Sequence, residues 1–185
     1  MGAQTILGRA RRGSGLALAL LFVPLLALPA LTASGGQASL AAVRQATAAF
    51  HDIKAAEAAG YHPFYVCTDA EGIGAMGQHY VNGDLVGDPA IDPLRPEALV
   101  YEPMPGGGYR LVGVEYVTLQ EAWHNAFGNT TPKVLGIDLK PVGQPNRYDL
   151  PPFFQRHLWV WAPNPLGMTE DWNSRVTCRG NGDAA

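Results

Sequence analysis

The chain has 185 residues, with 13 lysines and arginines against 16 aspartates and glutamates. No basic cluster follows the first dozen residues, which excludes nucleic acid as a natural partner, because phosphate neutralisation needs a lysine- or arginine-rich surface. The length beyond a leader suits one domain with a core of its own.

Residues 1–33 read as a secretory signal. Arg9, Arg11 and Arg12 form a positive start, Leu16–Leu31 an apolar run, and small residues between Thr32 and Ala38 a cleavage zone. Pro24 and Pro29 interrupt the run, which fits a cleaved signal better than a permanent membrane span; retention as an N-terminal anchor is the alternative. The leader takes three arginines and no acid, so the remainder carries ten basic against sixteen acidic residues. The expected location is outside the cell, in the periplasm or in the cell envelope. The globular domain is expected over 39–180, and 181–185 as a frayed tail.

Cys67 and Cys178 are the two cysteines. In an oxidising compartment the simplest reading is one disulfide. It closes a loop of roughly 110 residues, worth about 4–5 kcal/mol in the chain-entropy account. A pair of metal thiolates is the competing reading, without a Cys-x-x-Cys partner to support it.

Ser39–Ala59 predicts a helix, with Leu40, Val43, Ala46, Phe50, Ile53 and Ala56 at helical spacing. Ser39 suits the N-cap, and Gly60 with Pro63 beyond it suits the end. Tyr61–Thr68 is extended and aromatic. Gly72–Gly77 spells G-x-G-x-x-G, but a β-like run follows where a dinucleotide site needs a helix. The glycines there suit positive φ or close backbone approach. Met76–Asn82 is a strand carrying His79, and Asn82-Gly83-Asp84 a turn before a short run at Leu85–Val86. Gly87–Pro96 is an ordered loop. Glu97–Glu102 and Tyr109–Leu119 form the best hairpin. Gln120–Phe127 predicts a short helix, Asn129-Thr130-Thr131 matches the glycosylation sequon, and Val134–Leu139 predicts a strand. Lys140–Pro152 is a connection, Phe153–Ala162 a strong strand, and Pro163–Thr177 irregular. The fold class expected is α+β: one N-terminal helix with an antiparallel, curved or barrel-like sheet and one disulfide.

Period-two arithmetic places His79 with Val81, Glu115 with Leu111, Gly113 and Val117, and His157 with Phe153, Trp159 and Trp161. Each ionisable group then lies among apolar neighbours. If those faces line one interior, His79, Glu115 and His157 meet inside it. Two imidazoles and a carboxylate suit Fe(II), Mn(II) or Zn(II) and leave positions open for a small molecule. The alternative for Glu115 is an ion pair with Arg110, Arg147 or Arg156, since a buried carboxylate must be paired or become neutral. His62 and His124 fall near turns or helix ends, and His51 lies off the apolar stripe of its helix. Serine hydrolysis fares worse: beyond residue 34 the serines are Ser39 and Ser174, with no G-x-S-x-G elbow. A glycosidase pair of Glu102 and Glu115 is conceivable, against the alternative that hairpin neighbours are paired simply as surface charges.

Several stretches together carry a resemblance. They are Gly60-Tyr61 before Cys67; Gly74-x-Met76-Gly77-x-His79-Tyr80-Val81-Asn82; Pro96–Pro103; Val112–Tyr116; and His157–Trp161 through Asn164-Pro165-x-Gly167-Met168 to Cys178. In these the chain resembles a family of uncharacterised secreted bacterial proteins. The resemblance implies export and a single domain, and brings no activity with it. Two classes of function therefore stand: a metal or small-ligand site built from His79, Glu115 and His157, or a non-catalytic envelope or extracellular binding domain.

Overall fold

A six-stranded antiparallel sheet, in the order β1-β2-β3-β4-β8-β7, is the larger of two sheets among the described residues. Its strands are β1 (His62–Ala70), β2 (Gly74–Val81), β3 (Ala98–Pro103), β4 (Tyr109–Leu119), β7 (Lys140–Val142) and β8 (Phe153–Leu158). The computed structural model describes residues 1–2 and 38–181. The chain divides into units Met1–Gly35 and Gly36–Ala185, and every element named here belongs to the second. The expected leader, beyond Met1 and Gly2, and all but the first residue of the expected frayed tail lie outside the described residues.

The helical stretch starts where expected, with the Ser39 hydroxyl accepting from the Ala42 amide at 3.2 Å. It is broken, however, into α1 (Leu40–Thr47), a 3-10 turn over Ala48–His51, and α2 (Ile53–Ala58). Asp52 is extended and caps α2 by accepting from the Lys54 amide at 3.0 Å. The Phe50 carbonyl, freed by the break, accepts the Tyr101 hydroxyl at 2.7 Å. An alanine-rich periodicity hid a second N-cap, and tertiary hydrogen bonding outweighed helix propensity.

Four other elements differ from expectation, the first being Lys140–Val142, which opens the expected connection as edge strand β7 paired with β8. Asn82 opens a short helix, α3 (Gly83–Gly87), by accepting from the Asp84 and Leu85 amides, so Leu85–Val86 is helical. The strand expected over Val134–Leu139 is a tight hairpin of β5 (Lys133–Val134) and β6 (Ile137–Asp138), reversed at Leu135 and Gly136, both at positive φ. The last strand stops at Leu158, because the Trp159 amide turns away to the Met168 carbonyl at 2.9 Å and the Trp161 and Ala162 amides to the Val112 carbonyl. Helix α4 (Gln120–Phe127) and the β3–β4 hairpin stand as read.

The two faces of the sheet have different covers. Tyr80, Leu99, Val114 and Leu158 form one row across four strands and pack with Val43, Ala56 and Tyr61 of the helical side. The opposite face carries the row Val81–Ala98–Glu115–His157, with His79 and Val100 in the next row. The C-terminal segment crosses this second face, where Val176 packs with Ala75, Val100, Val112 and Trp159. It is tied down by the Ala75–Asn173 bridge and by the Cys67–Cys178 disulfide, whose Cα atoms are 5.7 Å apart. Gly74 makes that crossing feasible: at φ +128 it lies so close that a Cβ would stand 2.2 Å from the Asn173 carbonyl oxygen.

The sheet curls toward the second face. Tyr148, in the loop after β7, packs against Phe64 and Tyr65 of β1, with ring centroids 5.8 and 5.2 Å away. The two sheet edges are therefore linked by side chains in place of a ladder. Irregular pairing near residues 65–68 and at Val100–Tyr101 adds the local bending that bulges bring.

Two outcomes follow. Replacing both cysteines by serine frees a link across 111 residues, and denaturant unfolding should show a loss of about 4 kcal/mol. The second concerns Glu97, which is 1 % exposed and accepts from the Val117 amide at 3.0 Å. Burial first, and then the acids Asp88 and Asp92, push its carboxyl up from 4.5 to about 8. An acid raised on folding contributes its full share of stability below pH 4.5 and loses it as the pH climbs through about 8. The wild type should therefore lose more stability than Glu97→Gln between these pH values, by an amount on the order of a few kcal/mol in paired urea titrations.

Candidate metal centre

His79, Glu115 and His157 meet on the concave face of the sheet. They come from β2, β4 and β8, and β2 and β8 stand three strand spacings apart, roughly 14 Å if the sheet were flat. The curl closes that distance. His79 Nε2 lies 3.0 Å from His157 Nε2 and 3.3 Å from Glu115 Oε2. One donor atom from each residue falls within 4.8 Å of those of the other two. The two rows that carry them are kept low at Ala98 and at Gly113, where a Cβ would already touch the Leu158 carbonyl oxygen at 3.0 Å.

The alternative partners of Glu115 are engaged elsewhere. Arg110 pairs with Glu102 on the neighbouring strand. Arg156 donates to the Asp138 carbonyl, and Arg147 lies over the Trp172 ring at 5.4 Å. Glu102 also accepts from the Thr177 amide at 3.0 Å and does not line the cavity beside Glu115, so the glycosidase pair does not assemble. His62 is exposed at the start of β1, His124 faces the Gly128 carbonyl at 2.8 Å, and His51 sits edge-on to Trp161 at 4.3 Å.

The period-two reading fails at two positions. Leu111 faces the helices, because the ladder passes from Val100–Gly113 to Tyr101–Leu111 and leaves Val112 as the extra residue. Trp161 lies beyond the end of β8, where its indole donates to Thr47 on the helical side. Trp159 does share the site's face, stacked on His157 at 5.8 Å and 17°.

Electrostatics at the three groups follow from burial. His157 and His79 are 1 % and 5 % exposed. Desolvation holds the His79 imidazole down at about 4 and His157 well below the usual histidine range, the His79 charge adding to the latter. Both rings are neutral at physiological pH and keep a lone pair to give. Glu115 is pushed up to about 8, chiefly by burial and then by Asp171 and Glu97. Three ionisable groups thus share a space where none holds its charge without a partner of opposite sign.

A second set of residues fixes the orientation of His157. Gln155, two positions earlier on the same strand face, has its amide nitrogen 3.2 Å from Asp171 Oδ1, and Lys140 Nζ lies 3.3 Å from that oxygen. The Gln155 carbonyl oxygen therefore faces His157 Nδ1, at 3.2 Å. It accepts the Nδ1 proton and leaves the His157 Nε2 lone pair facing His79 Nε2 at 3.0 Å, while Glu115 Oε1 comes nearest the ring at Nδ1, 3.6 Å away. Metal-ligating histidines are commonly oriented through the other ring nitrogen in this way.

Beside the cluster lies a cavity of about 250 Å³, lined by His79, Glu115 and apolar side chains that include Phe64, Val81, Val86 and Leu150. Gln155, Asp171 and Tyr148 are the residues that sequence reasoning missed. Gln155 had a signal, its i−2 relation to His157; Asp171 and Tyr148 lie in irregular segments without periodicity.

No family model, curated protein or solved structure matches the chain. Any functional reading therefore rests on the geometry of this site.

Gln155→Leu keeps the side-chain volume and removes the acceptor for His157 Nδ1. If the cluster takes up zinc, its affinity, measured by chelator competition, should fall about ten- to a hundred-fold in this variant while the thermal transition stays cooperative.

Proposed function

We propose that the chain is an exported domain that holds one divalent transition-metal ion through His79, Glu115 and His157 and presents it to a small molecule in the adjoining cavity. The observation that carries this reading is the convergence of the three donors. Bonds of about 2.0–2.1 Å to a common ion place tetrahedral donor atoms roughly 3.3 Å apart. The separations of 3.0 and 3.3 Å around His79 Nε2 suit a shared ion.

The donor set narrows the choice of ion. Neutral imidazoles suit Zn(II), Fe(II) or Mn(II), whereas calcium and magnesium favour oxygen ligands throughout. A carboxylate that is uncharged in an apolar setting becomes a good ligand once a cation takes the place of its proton. Three protein ligands leave at least one coordination position, the arrangement of catalytic and not of structural zinc sites. The Cys67–Cys178 disulfide is compatible with an extracellular or periplasmic setting, and no described helix is long and apolar enough to cross a membrane. Both accord with export, and with the resemblance to secreted bacterial proteins.

Metal content by mass spectrometry, on protein purified with its disulfide intact and loaded in turn with Zn(II), Fe(II) and Mn(II), tests the reading. About one equivalent of one of these ions should remain after desalting, and His79→Ala and Glu115→Gln should each lose it while keeping a cooperative thermal transition. Retention of no ion by the wild type after all three loadings contradicts the proposal.

A further inference from the structure

The cavity beside the cluster differs from its floor. His79 and Glu115 stand at one end, and the walls are Phe64, Val81, Val86, Tyr148, Leu150 and Phe153. Among the described residues, Glu115 and His79 are the ionisable groups of those walls apart from the Tyr148 phenol, and no lysine or arginine lines them. The nearby cations are already committed: Arg147 to the Trp172 ring, Arg156 to the Asp138 carbonyl, and Lys140 to Asp171.

We infer that this cavity takes a small molecule with an uncharged, compact aromatic or branched apolar body and an oxygen-donor head that completes the metal's coordination. The inference rests on the metal reading above and specifies the class of ligand.

Size, polarity and one hydroxyl carry it. A dry apolar cavity of about 150 Å³ holds a benzene ring, so about 250 Å³ accommodates one ring and a head group of a few atoms. A sugar would give up water at several hydroxyls against walls that offer few partners, and a charge carried on the ligand's body, away from the metal end, would be buried with no counter-ion. Tyr148 is the exception among the walls. Its hydroxyl has, among the described residues, one hydrogen-bonding neighbour, Met76 Sδ at 4.0 Å, and a thioether is a weak acceptor. The O–H is therefore available to an oxygen on the ligand. Apolar pockets with a few convergent polar groups are the usual form of small-molecule sites.

The test uses hydroxamates, which bring one metal-binding head on different bodies. The full disulfide-bonded domain is loaded with zinc, and its zinc content is measured before calorimetric titration with acetohydroxamic acid, benzohydroxamic acid and 3-carboxybenzohydroxamic acid. Benzohydroxamic acid should bind at least ten-fold more tightly than acetohydroxamic acid, and the carboxyl substituent should remove that advantage. Leu150→Asp should abolish the preference for the ring while retaining zinc, which also shows that the variant folds. Equal affinity for the acetyl and benzoyl compounds on zinc-loaded wild type overturns the ligand class and leaves the metal reading intact. Undiminished binding of the carboxylated ring overturns the requirement for an uncharged body. Failure to retain zinc, with iron and manganese loading failing likewise, overturns the metal reading and this inference with it.

Discussion

The curl of the sheet is the constraint on which the rest depends. Flat, β2 and β8 would hold their histidines too far apart to share anything. Curled, they bring His79 Nε2 and His157 Nε2 to 3.0 Å over Ala98 and Gly113. The curl is maintained from both ends of the sheet order, with Tyr148 linking the β7 side to β1 and the Cys67–Cys178 bond tying β1 to the C-terminal segment. The disulfide and the loop after β7 thus act on the site without contributing a donor to it.

Burying two imidazoles and a carboxylate together is unfavourable for folding, since each charged form loses its hydration. A leucine or valine at any of the three positions would pack against Val81, Val117 and Phe153 without that cost. Groups disfavoured by their surroundings and gathered at a cleft are more often functional than structural. Here the oriented His157 ring strengthens the point. The Asp171–Gln155–His157 chain sets the tautomer of that ring and directs its Nε2 lone pair toward His79.

The sequence was most readable where side-chain periodicity and backbone geometry coincide. Alternation in β4 and β8 put Glu115 and His157 on one face, and the cysteine count identified the disulfide. It was least readable where a single residue breaks the period. Val112 adds one position to its strand and turns Leu111 to the helices. Asp52 ends one helix and begins another within an alanine-rich run. Leu158 ends a strand whose apolar pattern continues for four more residues, because Trp159 finds its backbone partner in a distant loop. His79, Glu115 and His157 come together despite these errors because all three lie inside regular strands. Tyr148, Gln155 and Asp171 were missed because their roles arise from tertiary contacts that no local pattern records.

X-ray absorption at the metal edge, on protein loaded with the ion it retains, tests the central claim most directly. The account predicts nitrogen and oxygen neighbours at about 2.0–2.1 Å and the outer-shell scattering of two imidazole rings. A spectrum with sulfur ligands, or with oxygen neighbours alone and no imidazole scattering, would place the ion elsewhere and contradict the account.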